Sequence, residues 1–119
     1  MRRAVVASLS ALVAILASAP YARAHAILLQ ARPAPDASVE GPELQVELKF
    51  NSRIDPKRSR VTILMPDKTT KVLTSEPSSA PEVLKARGES FAPGSYTLRW
   101  QVLSSDGHIT RGEHAFSVK

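Results

Sequence analysis

Apolar and polar residues alternate along four stretches of the chain, and this period of two constrains the fold more than any other feature. The alternating stretches cover residues 44–50, 61–65, 96–102 and 114–118. Successive side chains of a strand point to opposite faces of a sheet, so this pattern predicts strands with one buried face. Shorter candidate strands lie at residues 26–31, 71–74 and 83–85.

Turn-forming residues separate these stretches, and no convincing amphipathic helix lies between them. The clearest turn pairs are Gly41-Pro42, Asp55-Pro56 and Asp106-Gly107. The polar, proline-bearing stretch 75–81 is predicted to be a mobile loop. About seven short strands at this spacing predict an all-β fold, an antiparallel sandwich or barrel of immunoglobulin-like type.

Tyr96, Trp100 and Phe116 are aromatic residues on apolar strand faces. Trp100 is the single tryptophan, and aromatic residues make up only 5% of the chain. Because an exposed aromatic platform would need companions, we expect Trp100 to be a packing centre of the core. The chain has no cysteine, which excludes disulfides, zinc–thiolate sites and thiol nucleophiles.

The first 24 residues have the three parts of a secretory signal peptide. Two arginines precede an apolar run over residues 4–17, and Ala22-Arg23-Ala24 forms a small-x-small cleavage mark. The apolar run is shorter than the roughly 20 residues of a transmembrane helix. We therefore predict a signal peptide over 1–24, cleaved after Ala24, and one mature domain over 25–119. An uncleaved N-terminal anchor is the alternative.

Cleavage would also change the charge balance of the chain. The whole sequence has 16 basic and 11 acidic residues, and removing three leader arginines leaves 13 basic against 11 acidic. A small and thinly spread positive charge gives no case for nucleic-acid binding.

Cleavage after Ala24 would make His25 the first residue, where its α-amine and ring Nδ1 can chelate one metal ion. Asp106 and His108 are two residues apart, so in an extended segment their side chains point to the same side. These groups offer three nitrogens and one oxygen, the tetragonal set that Cu(II) prefers. Zn(II) could use the same ligands as a tetrahedron, and Asp106 could equally be an ordinary turn residue.

Other candidate sites find less support in the sequence. His114 is in phase with Phe116 and Val118, so we expect a partly buried strand residue rather than a metal ligand. The serines beside Asp106 lack the nucleophile elbow and oxyanion loop of a hydrolase. The glycines form no phosphate-cradling pattern.

Several motifs occur in a fixed order along the mature chain and carry a family resemblance. They are His25-Ala26, Arg32-Pro33-Ala34, Val46 to Phe50, Pro93 to Trp100, Ser104-Ser105-Asp106-Gly107-His108 and Gly112 to Val118. On these motifs the chain resembles the CopC-type periplasmic copper-resistance proteins over nearly its whole mature length. The resemblance implies an immunoglobulin-like Greek-key β-barrel with a periplasmic Cu(II) site formed by His25, Asp106 and His108.

The sequence departs from the family pattern in two places. Some members carry a methionine-rich loop for Cu(I), but residues 65–83 here contain one methionine and no histidine. A separate Cu(I) site is therefore not expected. The family strand often continues as F-S-E, whereas this chain has Phe50-Asn51-Ser52. We expect the Ser52 hydroxyl or a water molecule to replace that carboxylate beside the metal.

The predicted function is that of an exported, monomeric Cu(II)-binding protein that sequesters or delivers copper, with no catalytic activity. A membrane copper transporter is a candidate partner. Binding is expected to weaken as the pH falls through about 5 to 6, because imidazoles then become protonated. Two alternatives stay open: a partner-docking β-domain without metal, and an oxidative enzyme with copper on an N-terminal histidine.

Overall fold

Residues 26–119 are described by a computed structural model, and every regular element in that range is a β-strand. The strands are β1 (Leu28–Arg32), β2 (Ser38–Val39), β3 (Leu44–Phe50), β4 (Ile54–Leu64), β5 (Thr70–Val72), β6 (Thr74–Glu76), β7 (Val83–Gly88), β8 (Gly94–Ser104) and β9 (Ile109–Val118). The predicted all-β class is confirmed. No helix within 26–119 is long and apolar enough to cross a membrane.

The strands form two sheets that pack face to face. One sheet has the order β1-β3-β7-β6 and the other has the order β2-β9-β8-β4-β5. Neighbouring strands are antiparallel except β2 and β9, which are parallel. The alternation in β3 sets its orientation, since Leu44, Val46, Leu48 and Phe50 are buried while the residues between them are exposed. This arrangement is the predicted sandwich.

The space between the sheets is filled by large apolar side chains that are almost fully buried. They include Phe50, Phe91, Leu48, Ile63, Leu84 and Leu98. Each such side chain contributes about 1.5–3 kcal/mol by leaving water, so they supply most of the drive for folding. Tyr96 and Phe116 stack in this core with ring centroids 5.6 Å apart, which confirms their predicted burial.

Trp100 packs against the margin of the core and not at its centre, and the expectation of a central position was wrong. Trp100 is only half-buried, and its cross-strand partner on β9 is Gly112. A Cβ atom at Gly112 would lie 2.2 Å from Cζ2 of Trp100, so the indole ring occupies the space that a side chain would need. The ring of His114 lies beside it, with centroids 5.4 Å apart.

Most strands differ from the predicted stretches by some residues, and two of the differences follow from the strand pairing. β4 begins at Ile54 and runs through Pro56, because its pairing with β8 is irregular between Asp55 and Arg60. A proline is tolerated there since a bulged residue needs no ladder hydrogen bond. The predicted strand 71–74 is two short strands, β5 and β6, which belong to different sheets. The predicted loop 75–81 is therefore shorter, because Ser75 and Glu76 pair with β7.

Candidate metal site

The turn between β8 and β9 carries two of the three predicted ligands. Ser104 closes this turn: its backbone N–H donates to the carbonyl of His108 at 2.9 Å, and its carbonyl accepts from Gly107 N–H at 2.9 Å. Gly107 has a φ of +89°, a conformation that glycine adopts without the steric cost of a side chain. The turn is thus fixed by its own backbone, and it projects Asp106 and His108 from the end of the sandwich.

Asp106 and His108 lie against each other, but they do so in a turn and not in the extended segment that the prediction assumed. Oδ1 of Asp106 accepts hydrogen bonds from the Ser104 hydroxyl and, at 3.1 Å, from the backbone N–H of His108. Oδ2 of Asp106 lies 3.1 Å from Nδ1 of His108. Both side chains are partly open to solvent, with exposed fractions of 34% and 45%. A metal ion arriving from solvent can therefore reach both groups.

The hydrogen bonds on Asp106 favour its ionised form. The Ser104 hydroxyl makes the largest contribution and the His108 backbone N–H the next, and together they lower the pKa of Asp106 to about 2. Asp106 is accordingly a carboxylate at any pH near neutrality. A permanent negative charge at this position attracts a divalent cation and needs no proton release to bind it.

The short link between β3 and β4 is hydrogen-bonded on two sides, and it connects the start of the described chain to the turn. Oδ1 of Asn51 accepts from Ile27 N–H at 2.8 Å, and Asn51 N–H donates to the Ile27 carbonyl at 2.9 Å. Two residues later, the Arg53 carbonyl accepts from Ser105 N–H at 3.1 Å. Ile27 and Ser105 are therefore both anchored to a single three-residue segment, 51–53.

Ser52 lies in the middle of that segment. Its Oγ is buried and has no hydrogen-bond partner among residues 26–119. Buried hydroxyls in proteins are normally paired with a protein atom or an ordered water. The replacement of the family's carboxylate by this hydroxyl stays a prediction.

The other two histidines have different positions. His25 lies outside the described residues. His114 is a half-buried residue of β9, as predicted, and its Nε2 lies 2.8 Å from the carbonyl oxygen of Pro33. The structure thus brings together Asp106 and His108, and it engages His114 elsewhere.

Asn51 is the site residue that the sequence reasoning missed. Its change from the family pattern was noted, but its contact with Ile27 depends on the pairing of β1 with β3, which the sequence does not display. Among residues 26–119, no group of three or more His, Cys, Asp or Glu residues is placed to hold a metal ion. Asp106 and His108 are therefore two adjacent candidate ligands, and a metal bound by them would need further ligands.

Comparison with known proteins identifies the family. The model of the CopC domain family matches residues 28–119. The chain belongs to the CopC family. Its relatives include copper resistance protein C from Xanthomonas campestris pv. juglandis, which is 29% identical over 125 residues covering 98% of this chain and 97% of that protein. Protein YobA from Escherichia coli strain K12 is 32% identical over 103 residues, covering 84% and 83%.

Solved structures give the same result. CopC from Methylosinus trichosporium OB3b superposes with a TM-score of 0.71 at 31% identity, covering 80% of this chain and 94% of that one. PcoC, a methionine-rich copper resistance protein from Escherichia coli, gives 0.64 at 27% identity, covering 81% and 100%. The resemblance and the immunoglobulin-like Greek-key sandwich are confirmed, and the chain is a member of a copper-resistance family.

Proposed function

We propose that this protein is a periplasmic Cu(II)-binding protein whose mature chain begins at His25. The proposed ligands are the α-amine and ring Nδ1 of His25, the carboxylate of Asp106 and the imidazole of His108. The observation that carries the proposal is the segment 51–53, which anchors both Ile27 and the turn that holds Asp106 and His108.

The anchoring at Ile27 supports the assignment of His25. Asn51 binds both backbone groups of Ile27, and Ala26 is 1% exposed, so the described chain is held from its first residue onward. Ile27 is two positions after His25 in the sequence, and a chain advances at most ~3.6 Å per residue. The segment that holds Ile27 is also the one bonded to Ser105, beside Asp106.

The separation of the two described ligands also fits one metal ion. Nitrogen and oxygen ligands bind a divalent transition metal at about 2.0–2.2 Å, so two ligands at a right angle lie roughly 3 Å apart. Oδ2 of Asp106 and Nδ1 of His108 are 3.1 Å apart. Copper binding would replace this direct contact with two bonds to the ion, and it requires little movement of either side chain.

The donor chemistry favours Cu(II) over other cargo ions. Three nitrogens and one oxygen suit tetragonal coordination, and Cu(II) binds such ligands more tightly than the other divalent first-row metals. Cu(I) prefers thioethers and thiolates, but the whole chain has two methionines and no cysteine. PcoC, by contrast, is described as methionine-rich.

With the equatorial positions filled by protein groups, the site is suited to holding copper and not to catalysis. We propose that the protein acts as a monomer that sequesters copper or passes it to a membrane copper transporter. Copper is then the cargo of the protein.

The test uses the protein that starts at His25, with Cu(II) affinity measured by competition against a chromogenic chelator at pH 7. Asp106→Ala and His108→Ala should each weaken binding by about tenfold or more, because each variant lacks one proposed metal ligand. A factor of ten corresponds to about 1.4 kcal/mol of binding free energy. His114→Ala is the matched control, because its ring contacts the Pro33 carbonyl. An equal loss in His114→Ala would contradict the ligand assignment.

A further inference from the structure

A groove of about 510 Å³ lies across the five-stranded sheet, on the face that points away from the core. The outward-facing side chains that line it include Arg60, Val72, Arg99, Gln101, Arg111 and Glu113. The strand registers place its polar side chains in two rows. Arg60, Gln101 and Arg111 form one row across β4, β8 and β9, and Thr62, Arg99 and Glu113 form the next.

The groove has an excess of positive charge, and neighbouring side chains hold two of its three arginines. Arg99 forms an ion pair with Glu113 at 2.7 Å, and Arg111 Nε donates to Oε1 of Gln101 at 3.0 Å. Among residues 26–119, neither Arg60 nor Arg111 forms an ion pair. The groove thus contains three arginines and one glutamate. Guanidinium groups bind carboxylates through paired, parallel hydrogen bonds.

The two rows that carry arginines are spaced like alternate residues of an extended polypeptide: Arg60 and Arg111 lie in one row and Arg99 lies in the next. Arg99 and Gln101 are two residues apart on β8, so the two rows are separated by roughly 6.6–6.8 Å along the strand. Alternate side chains of an extended guest chain repeat at the same distance and point to the same side. Carboxylates at alternate positions of a guest chain would therefore meet successive rows.

The border of the groove suits a polypeptide guest as well. Val72 is 64% exposed on β5, a three-residue strand at the edge of the sheet. An apolar side chain between polar groups gives a guest chain an area to cover.

We propose that this groove docks an acidic, extended segment of a partner protein, with carboxylates at alternate positions along the segment. The proposal does not depend on copper, because the groove residues are not among the proposed metal ligands. It can therefore be tested on the copper-free protein, and its failure would leave the proposed copper site untouched.

The first experiment titrates the ¹⁵N-labelled, copper-free protein at low salt with a capped four-residue peptide of alternating glutamate and threonine, one glutamate for each row. We expect the largest amide shift changes at residues 60, 99, 101 and 111. A peptide of the same composition with its two glutamates adjacent should bind at least about threefold more weakly. Equal binding of the two peptides would overturn the proposed register.

Charge variants supply the second experiment. Arg60→Gln combined with Arg111→Gln should weaken binding of the alternating peptide about tenfold. Arg32→Gln combined with Lys49→Gln is the matched control, since it removes the same charge from exposed positions of the other sheet. We expect the control to change the affinity less than about twofold, because groove contacts and not net charge set the binding.

Glu113→Gln tests the opposite change in groove charge. It removes the one acidic side chain that lines the groove, so it should tighten binding of the alternating peptide about two- to threefold. Equal weakening in both double variants would overturn the proposal in favour of unspecific charge attraction. Binding to phosphatidylglycerol vesicles without binding to the peptide would overturn it in favour of a membrane surface. Saturation of the same shifts by inorganic phosphate at peptide-like concentrations would overturn it in favour of a small-anion site.

Discussion

Asn51 connects the fold to the proposed copper site, and Asn51→Ala should affect both. The substitution removes the 2.8 Å hydrogen bond from Ile27 N–H to Oδ1 but keeps the backbone bond from Asn51 N–H to the Ile27 carbonyl. One such hydrogen bond contributes about 1 kcal/mol net, so we expect a loss of about 1 kcal/mol in unfolding free energy. For a domain of this size, that lowers the Tm by about 4–8 °C.

The loss of this hydrogen bond should also weaken the binding of Cu(II). In the variant, the chain before β1 is less ordered without metal, and copper must order it again at a cost of about 1 kcal/mol. That cost corresponds to a roughly fivefold weaker affinity for Cu(II). Thermal denaturation of the copper-free protein and a chelator competition titration measure the two effects separately.

Two controls isolate the role of Asn51. Asn51→Asp keeps an acceptor for Ile27 N–H, so it should retain most of the stability, and its added negative charge should not weaken Cu(II) binding. Asp67→Ala removes an acceptor from Thr69 N–H, at the end of β4 far from Ser104, and should lower stability without changing copper affinity. A destabilised Asn51→Ala protein with unchanged copper affinity would refute the anchoring argument.

Two further predictions concern the turn and the core margin. Ser104→Ala removes the hydroxyl that contributes most to the low pKa of Asp106, so an NMR titration should find that pKa raised from about 2 towards its usual value. A carboxyl whose pKa is lowered in the folded state stabilises the fold above its unfolded pKa, and this stabilisation is lost as the pH falls through its folded pKa. The variant should therefore lose less stability than the unmodified protein between about pH 4 and 2. Gly112→Ala places a Cβ 2.2 Å from Cζ2 of Trp100, so it should cost about 1–3 kcal/mol of stability and shift the tryptophan fluorescence, whereas an unchanged spectrum would contradict the packing described.

The strands that the sequence predicted well are those with a long alternation. β3 and β8 each continue for seven residues or more with one buried face, so their pattern alone reveals them. β2 is only two residues long and exists because Ser38 and Val39 pair with the end of β9. Such pairing depends on the whole fold, and nothing in the local sequence displays it.

The sequence also could not predict how deeply a side chain lies in the core or which residues meet across neighbouring strands. The alternation placed Trp100 on the inner face of its strand, but its marginal position depends on the missing side chain of Gly112 opposite. The i, i+2 spacing of Asp106 and His108 predicted side chains on the same side of an extended segment, whereas the structure brings them together in a turn around Gly107. The contact of Asn51 with Ile27 joins residues 24 positions apart, and it follows only from the register of β1 on β3.

The most direct test of the central claim compares two preparations of the protein. One begins at His25, and the other keeps Ala22-Arg23-Ala24 before it, so that the His25 nitrogen is a peptide amide. Cu(II) affinity and the electron paramagnetic resonance spectrum are measured for both. We expect the extended protein to bind at least about a hundredfold more weakly and to lose the spectral signature of a three-nitrogen site. Equal affinity with identical spectra would contradict a chelate formed by the terminal amine.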